Sequence, residues 1–480
     1  MGGCTEWLEM SQKNKPQSNT LSAGIMTLMT TGFVIGSSIF NMDFHSQSWT
    51  FHHSDSTVLL ATLSFYIAAM IGSVVGYLLV ERYEKKPISK VYLCLVIVAS
   101  ILMIALPQHI VGVTFARVLF GLAHGSAYLV VLIHGGEVAI KEMRGMNMSA
   151  VHYCLTVGVL SHGSFSPTAT FGQAIEPNRI IGIIGLTCAV LGGGLAQFLT
   201  YESPVYLIQR GRDAEAITTM MKLRQESTET WDIRNDYTEF KAMLQEDDES
   251  SRSTFRDGNL RPLALLSLGK LASVLSFNVA LNLVRLYTLD KLFGMENYSL
   301  SATMILTIRL IAGVLFFYTI DAFGRRVPMA MSSFASGAFL TIFGIVFLCA
   351  ESINRDVGIA IMLTYDVVAS AGVTFVPDVY CSEAFSTQKK AASIAAVQTV
   401  ENILQITIIA VFFSWDLTNE SYYAGITLAC GIPLIALAVV FYRYLPETAK
   451  MSIRQSRTEF SKRGEIVFRG TKQPRNYLND

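Results

Sequence analysis

Long apolar runs alternate with short charged turns along the whole chain. Runs of about 17–25 residues, long enough to cross a hydrocarbon core, recur twelve times. They lie at 21–42, 57–80, 89–106, 109–132, 147–166, 179–199, 263–285, 300–320, 327–349, 357–380, 391–414 and 422–445. The pattern predicts an all-α membrane protein whose twelve transmembrane helices form two six-helix bundles. Runs 109–132, 263–285 and 357–380 are the least clean, because each contains polar residues. Between the sixth and seventh runs the chain turns hydrophilic. Helical periodicity at 214–224 and 237–245 predicts short helices joining the bundles. The expected division is an N-terminal segment 1–20, a first bundle 21–206, a linker 207–260, a second bundle 261–446 and a tail 447–480. The polar, basic stretch 454–480 is expected to be disordered.

The charged turns repeat. Glu81-Arg82-Tyr83-Glu84-Lys85-Lys86 forms a charged elbow in the first half, an acid followed by bases, as Asp321 precedes Arg325-Arg326 in the second. Glu137 precedes Arg144 by seven positions, as Glu383 precedes Lys390. Glu202-Ser203-Pro204 closes the first half as Pro446-Glu447-Thr448 closes the second. The shifts are 240, 246 and 245 positions (321 minus 81, 383 minus 137, 447 minus 202), so a displacement of about 245 positions brings the halves into correspondence.

Composition agrees with a membrane setting: 51% of residues are hydrophobic and 15% charged, against about 25% charged in soluble domains. The formal net charge is zero, which gives no reason to expect a nucleic-acid partner. Seven single cysteines without a CxxC pair indicate neither a disulfide frame nor a metal knuckle. Lys and Arg concentrate after the even-numbered runs, which predicts that both termini are cytoplasmic in a multi-pass plasma-membrane protein. The sequons at Asn297 and Asn419 then fall outside, as candidates for glycosylation, and the one at Asn147 inside.

No nucleotide loop, zincin motif or nucleophile elbow occurs, so no catalytic residue, metal ligand or cofactor is expected and the chain does not read as an enzyme. A duplicated bundle with charged elbows suits a secondary transporter, whose halves rock about a site at the bilayer midplane. Glu81, Glu137, Asp321 and Glu383 would then pair with Arg82, Arg117, Arg144, Arg325, Arg326 and Lys390 as an inner latch.

The chain resembles the sugar porter family of the major facilitator superfamily over nearly its whole length. The resemblance rests on Asp321-Ala322-Phe323-Gly324-Arg325-Arg326, on Arg117, Gly121 and Gly125 at spacings of four, on Glu137 with Arg144-Gly145, on Glu202-Ser203-Pro204 and on Pro446-Glu447-Thr448. It is similar to insect facilitated trehalose and glucose transporters. The resemblance implies the major facilitator fold around a central cavity, with a small sugar or polyol as partner, no cofactor and a monomer in the bilayer. It points to His152, Asn282, Asp378 and Asn402 as substrate-site positions, with Tyr287 offering an aromatic face.

The departures lie in that site. The seventh run lacks both family glutamines and keeps Asn282; His152 replaces another glutamine, and Asp378 stands where a tryptophan follows the proline. Proton-linked relatives carry an acid on the first run, where this chain has Ser37-Ser38 after Gly36, which favours facilitated diffusion. Arg285, Arg309, Asp366, Asp378 and Glu401 fall inside runs, at roughly 3 kcal/mol each at mid-bilayer unless paired or facing water. Arg309 could pair with Asp366 or Glu401, or Asp378 and Glu401 could face the cavity. Of the histidines, His124, His134, His152 and His162 lie in or near runs four and five, without the spacing of a metal site. The expected function is carriage of a sugar or related polyhydroxylated solute by alternating access. A carrier for a charged organic solute and a non-transporting sugar sensor are the alternatives.

Overall fold

The computed structural model describes residues 9–40, 53–165, 176–250, 259–293, 298–349, 354–413 and 421–461. After the short α1 (Lys15–Asn19), the first half runs through α2 (Ser22–Phe40), α3 (Asp55–Arg82), α4 (Lys85–Ala105), α5 (Ile110–Val138), α6 (Arg144–Phe165) and α7 (Pro177–Leu199). The linker forms α8 (Pro204–Gln209), α9 (Asp213–Leu223) and α10 (Trp231–Ser250). The second half comprises α11 (Leu260–Ser276), α12 (Val279–Phe293), α13 (Tyr298–Phe323), α14 (Arg326–Cys349), α15 (Arg355–Ala369), α16 (Val376–Glu383), α17 (Thr387–Phe412) and α18 (Ser421–Tyr444), followed by α19 (Ile453–Ser461). Among the described residues nine helices are long and apolar enough to cross a membrane. The other three predicted spans lie on α6, on α13 and on the pair α15–α16. The fold is the predicted two-bundle helical one.

Two predicted spans are broken rather than continuous. The seventh divides at Phe277, which adopts an extended φ of −152°. The Asn278 side chain accepts from the Leu281 amide at 2.8 Å and so starts α12 as a cap would. The tenth run ends α15 at Ala369 and resumes as α16, with Pro377 in its first turn. At Gly372 in the gap, an added Cβ would sit 2.5 Å from the Pro328 carbonyl oxygen. Broken spans are tolerated where they are buried in protein and face a cavity.

Within each half the closest helix pairs are α3 with α5 and α14 with α18. Small residues permit this: added Cβ atoms at Gly121 and Gly125 would fall on the Phe65 and Ala69 carbonyl oxygens of α3. The halves meet mainly along α6–α13 and α3–α17. The sequence repeat carries α3 onto α13 and α6 onto α17, so these two seams are one pseudo-twofold contact seen twice. Leu60, Val111, Phe115, Val190 and Phe198 are exposed on the outside, as lipid-facing positions must be.

The linker helices appear where periodicity placed them, with α10 longer than expected. Its apolar edge packs Phe240, Met243 and Leu244 against Val205 of α8 and Ile453. Its polar end meets the second half: Asp247 accepts from the Thr387 amide at 2.9 Å and Asp248 from Gln388 at 2.6 Å. The tail departs from expectation, because 453–461 is helical. Ile453 and Phe460, seven positions apart, form one buried stripe, and Arg454 and Arg457 pair with Glu246 and Asp247 of α10. That stripe was too short to register against the polar composition around it.

A central cavity above a charged floor

A cavity opens between the halves, walled by α2, α3, α5 and α6 on one side and by α11 and α17 on the other. The first half contributes Tyr66, His124, Tyr128 and His152; α17 contributes Gln398, Glu401, Asn402 and Gln405. Positions 398, 401, 402 and 405 follow the i, i+3, i+4, i+7 spacing that places residues on one helical face. Asn402 donates to the Gln398 carbonyl at 2.9 Å and still lines the cavity. Phe277, at the break of the seventh span, supplies the aromatic wall.

Lys270 on α11 holds the floor. Its Nζ lies 2.6 Å from Asp378 Oδ1, 2.9 Å from Glu401 Oε2 and 2.7 Å from the Tyr128 hydroxyl. Tyr128 in turn donates to Asp378 Oδ2 at 2.6 Å, and His152 Nδ1 lies 3.4 Å from the same oxygen. Lys270 and Asp378 are fully buried, whereas the Glu401 side chain is 22% exposed. The network crosses the interface, since Tyr128 and His152 belong to the first half and the three charges to the second. Asp378 therefore lies beneath the cavity rather than in it, and Glu401 is the carboxylate that reaches the space above. Sequence reasoning singled out both acids in membrane-spanning runs but passed over Lys270, the base between them.

The other intramembrane charges form a separate cluster. Asp366 pairs with Arg285 and, at 3.2 Å, with Arg309, which resolves the open alternatives for Arg309. Arg309 stacks on the Phe277 ring at 4.3 Å from its centroid, and Arg285 donates to Asn282 Oδ1 at 3.2 Å. Asn282 thus turns toward this cluster, its amide group donating to the Asn278 carbonyl at 2.8 Å. The side chain of Tyr287 is outside the described part, as are Asn297 and Asn419.

At the elbow face the repeat becomes three-dimensional. In the first half Lys85 lies 3.6 Å from Glu137 and 3.8 Å from Glu202, and Ser203 donates to Glu137 at 2.5 Å. In the second half Arg325 lies 3.5 Å from Glu383, its backbone amide donates to Glu447 at 3.1 Å, and Thr448 donates to Glu383 at 2.6 Å. Each half therefore builds the same clasp: one base, one helix-end acid, one loop acid and one hydroxyl. Burial pushes the Glu202 carboxyl up, against the opposing pull of Lys85.

Contacts between the halves complete the closure. Arg144 lies 3.8 Å from Glu383, and Asp321 accepts from the amides of Gly145 and Met146 at 3.0 and 2.8 Å. Buried Lys390 stands against Gly136, where an added Cβ would be 3.2 Å from its Nζ, and acts on Glu137 across the interface. Four of the expected latch residues sit elsewhere. Glu81 and Arg82 are exposed, their carbonyls receiving Arg210. Arg117 is buried within the first half, donating to Ser37 at 3.0 Å and Ser38 at 2.5 Å. Arg326 donates to the Tyr442 carbonyl and stacks on its ring.

Comparison with known proteins agrees with this architecture. The family model for sugar (and other) transporters matches residues 17–460. The human facilitated glucose transporter member 7 of solute carrier family 2 is 23% identical over 467 residues, covering 92% of this chain and 87% of that protein. The galactose-proton symporter of Escherichia coli is 23% identical over 334 residues, 67% of each chain. Among solved structures, the proton:xylose symporter XylE bound to 6-bromo-6-deoxy-D-glucose superimposes with a TM-score of 0.75 at 16% identity, covering 94% of this chain and all of that one. The chain belongs to the sugar (and other) transporter family, as a sugar porter of the major facilitator superfamily.

Proposed function

We propose that the protein is a multi-pass carrier that moves a sugar or a related small polyhydroxylated solute across the plasma membrane by alternating access. One observation carries the reading: a cavity walled by both halves lies between bundles joined at the elbow face by an ion pair, Arg144 with Glu383, and by amide hydrogen bonds to Asp321 that cross between the halves. Such contacts have to part when the bundles rock, so they can bias two states without holding the solute. The kinship with glucose and galactose carriers gives the solute class. The neutral donors and acceptors of Asn402, Gln398 and Gln405 with the ring of Phe277 suit a hydroxylated ring. His152 and Asn402 are the substrate contacts in this reading; Glu137, Arg144, Asp321, Arg325, Glu383 and Lys390 are the latch. Facilitated diffusion is supported by α2, where Ser37 and Ser38 face Arg117 and no acid stands.

The purified protein in liposomes should accumulate radiolabelled hexose in counterflow, with no requirement for a proton gradient. Absence of counterflow for hexoses, polyols and amino sugars alike would remove the carrier reading. The elbow face is the cytoplasmic one in this assignment. Glycosylation mapping should then find sugar on Asn297 or Asn419 and none on Asn147; modification at Asn147 would invert the orientation.

A further inference from the structure

The cavity carries an uncompensated acid. The formal charges of Asp378, Lys270 and Glu401 sum to one negative charge, and only Glu401 reaches the cavity surface. Lys270 engages Glu401 through Oε2 alone among the described interactions. A carboxylate accepts through both oxygens, so half of its capacity is directed at the space above. The positive counterweight, Arg285 and Arg309 on Asp366, is not part of the cavity lining. Arg309 lies against the ring of Phe277, which itself faces the cavity.

A second observation points the same way. Gln398 is 3% exposed, lines the cavity, and its Oε1 has no hydrogen-bond partner; Gln405 Oε1, also at the cavity, has none either. An unpaired buried acceptor costs about 1–3 kcal/mol until a donor reaches it. Residues 398, 401 and 405 share one face of α17, so three acceptor groups converge with one net negative charge. Among the described residues no group of three or more metal-ligating side chains converges, which argues for an organic cation rather than a metal ion.

We infer that the solute bears a protonated amine, seated on Glu401 between Gln398 and Gln405, with its hydroxyl groups toward Asn402 and His152. This rests on the carrier reading and narrows its substrate class to a polyhydroxylated ammonium, of which an amino sugar is the simplest form. Lys270 holds Glu401 in place from below; the hydroxyls of a neutral sugar donate to the same acceptors but bring no positive charge to Glu401.

The test uses the full-length protein in liposomes under an interior-negative potassium diffusion potential. Uptake of D-glucosamine, D-glucose and N-acetyl-D-glucosamine is compared at a pH where the amine is protonated. Glucosamine is expected to exceed both neutral sugars by about tenfold in kcat/KM, the worth of one charge-assisted hydrogen bond, and only its uptake should rise with the potential. E401Q should bring that ratio close to unity, while E401D keeps a preference for the amine. Equal uptake of the three sugars by the wild type, or an unchanged ratio in E401Q, overturns the inference and leaves the carrier reading standing. Failure of every sugar to exchange removes both. Where E401Q does not fold, thermal stabilisation of the wild type decides: a larger shift with glucosamine than with glucose supports the inference, and equal shifts overturn it.

Discussion

K270M is expected to abolish uptake and to destabilise the protein by about 3–5 kcal/mol, the cost of stranding one partner of a buried ion pair. Methionine fills much the same volume, so the effect isolates the charge. The variant would leave Asp378 fully buried with only Tyr128 and His152 beside it, and Glu401 with no base at all. The double variant K270M/D378N removes both the cation and the anion that most needs it. It should recover a large part of the stability without recovering transport, because neighbouring charges in one network are not additive. Thermal unfolding of the purified variants, read beside uptake, measures both effects. A single variant as stable as the wild type would show that the floor is hydrated and that Lys270 is not holding it together.

Removal of Glu383 is the second large effect. Its carboxylate meets Arg325 within its own half, Arg144 across the interface and the Thr448 hydroxyl, and it is 1% exposed. Exposed pairs contribute little, but a buried carboxylate shared by two guanidinium groups carries more weight. E383A should shift the balance toward the elbow-open state by about 2–3 kcal/mol, some 30- to 150-fold in population, and slow turnover accordingly. Reaction of single cysteines introduced beneath the elbows with a membrane-impermeant thiol reagent reports the shift directly. E137A, the pseudo-symmetric change, should move the same way. Glu81, exposed at the end of α3, should not respond to alanine. Unchanged labelling in E383A and E137A together would reduce the elbows to determinants of topology.

The elbows were readable because they repeat, and the first of them was misjudged by three residues. Shifting Arg325 back by the same 240 positions lands on Lys85, which is the base the structure uses, whereas the expected latch named Arg82 from the same elbow. A repeat fixes the register only when every member is carried by one displacement. The charged floor was half legible. Asp378 and Glu401 stood out as acids in apolar runs, but one lysine scarcely lowers the hydropathy of the stretch Leu260–Arg285, which stays apolar enough to cross a membrane. The signal that could have found Lys270 is charge balance: two acids placed in spans of the same half demand a buried base, and the seventh run offers Lys270. Asn282 shows the opposite limit. Its residue type matched the family's sugar site, yet on the helix that restarts after Phe277 it bonds to Arg285 and to the Asn278 carbonyl and is not among the cavity-lining residues. No periodicity argument carries a helix face across a break.

The linker helix α10 joins two unlike surfaces, and they do not part on equal terms. Along Val205, Met243 and Ile453 the contact is oily, and opening it would expose hydrocarbon that water does not reward. Along Thr387 and Gln388 it is made of carboxylates and amides, each of which water can satisfy when the protein lets go. The polar side is therefore the parting line of the molecule. The tail helix straddles that line: Ile453 belongs to the oily side and Arg454 and Arg457 grip α10, while Phe460 packs edge-on against Tyr380 of the second half with ring centroids 5.5 Å apart.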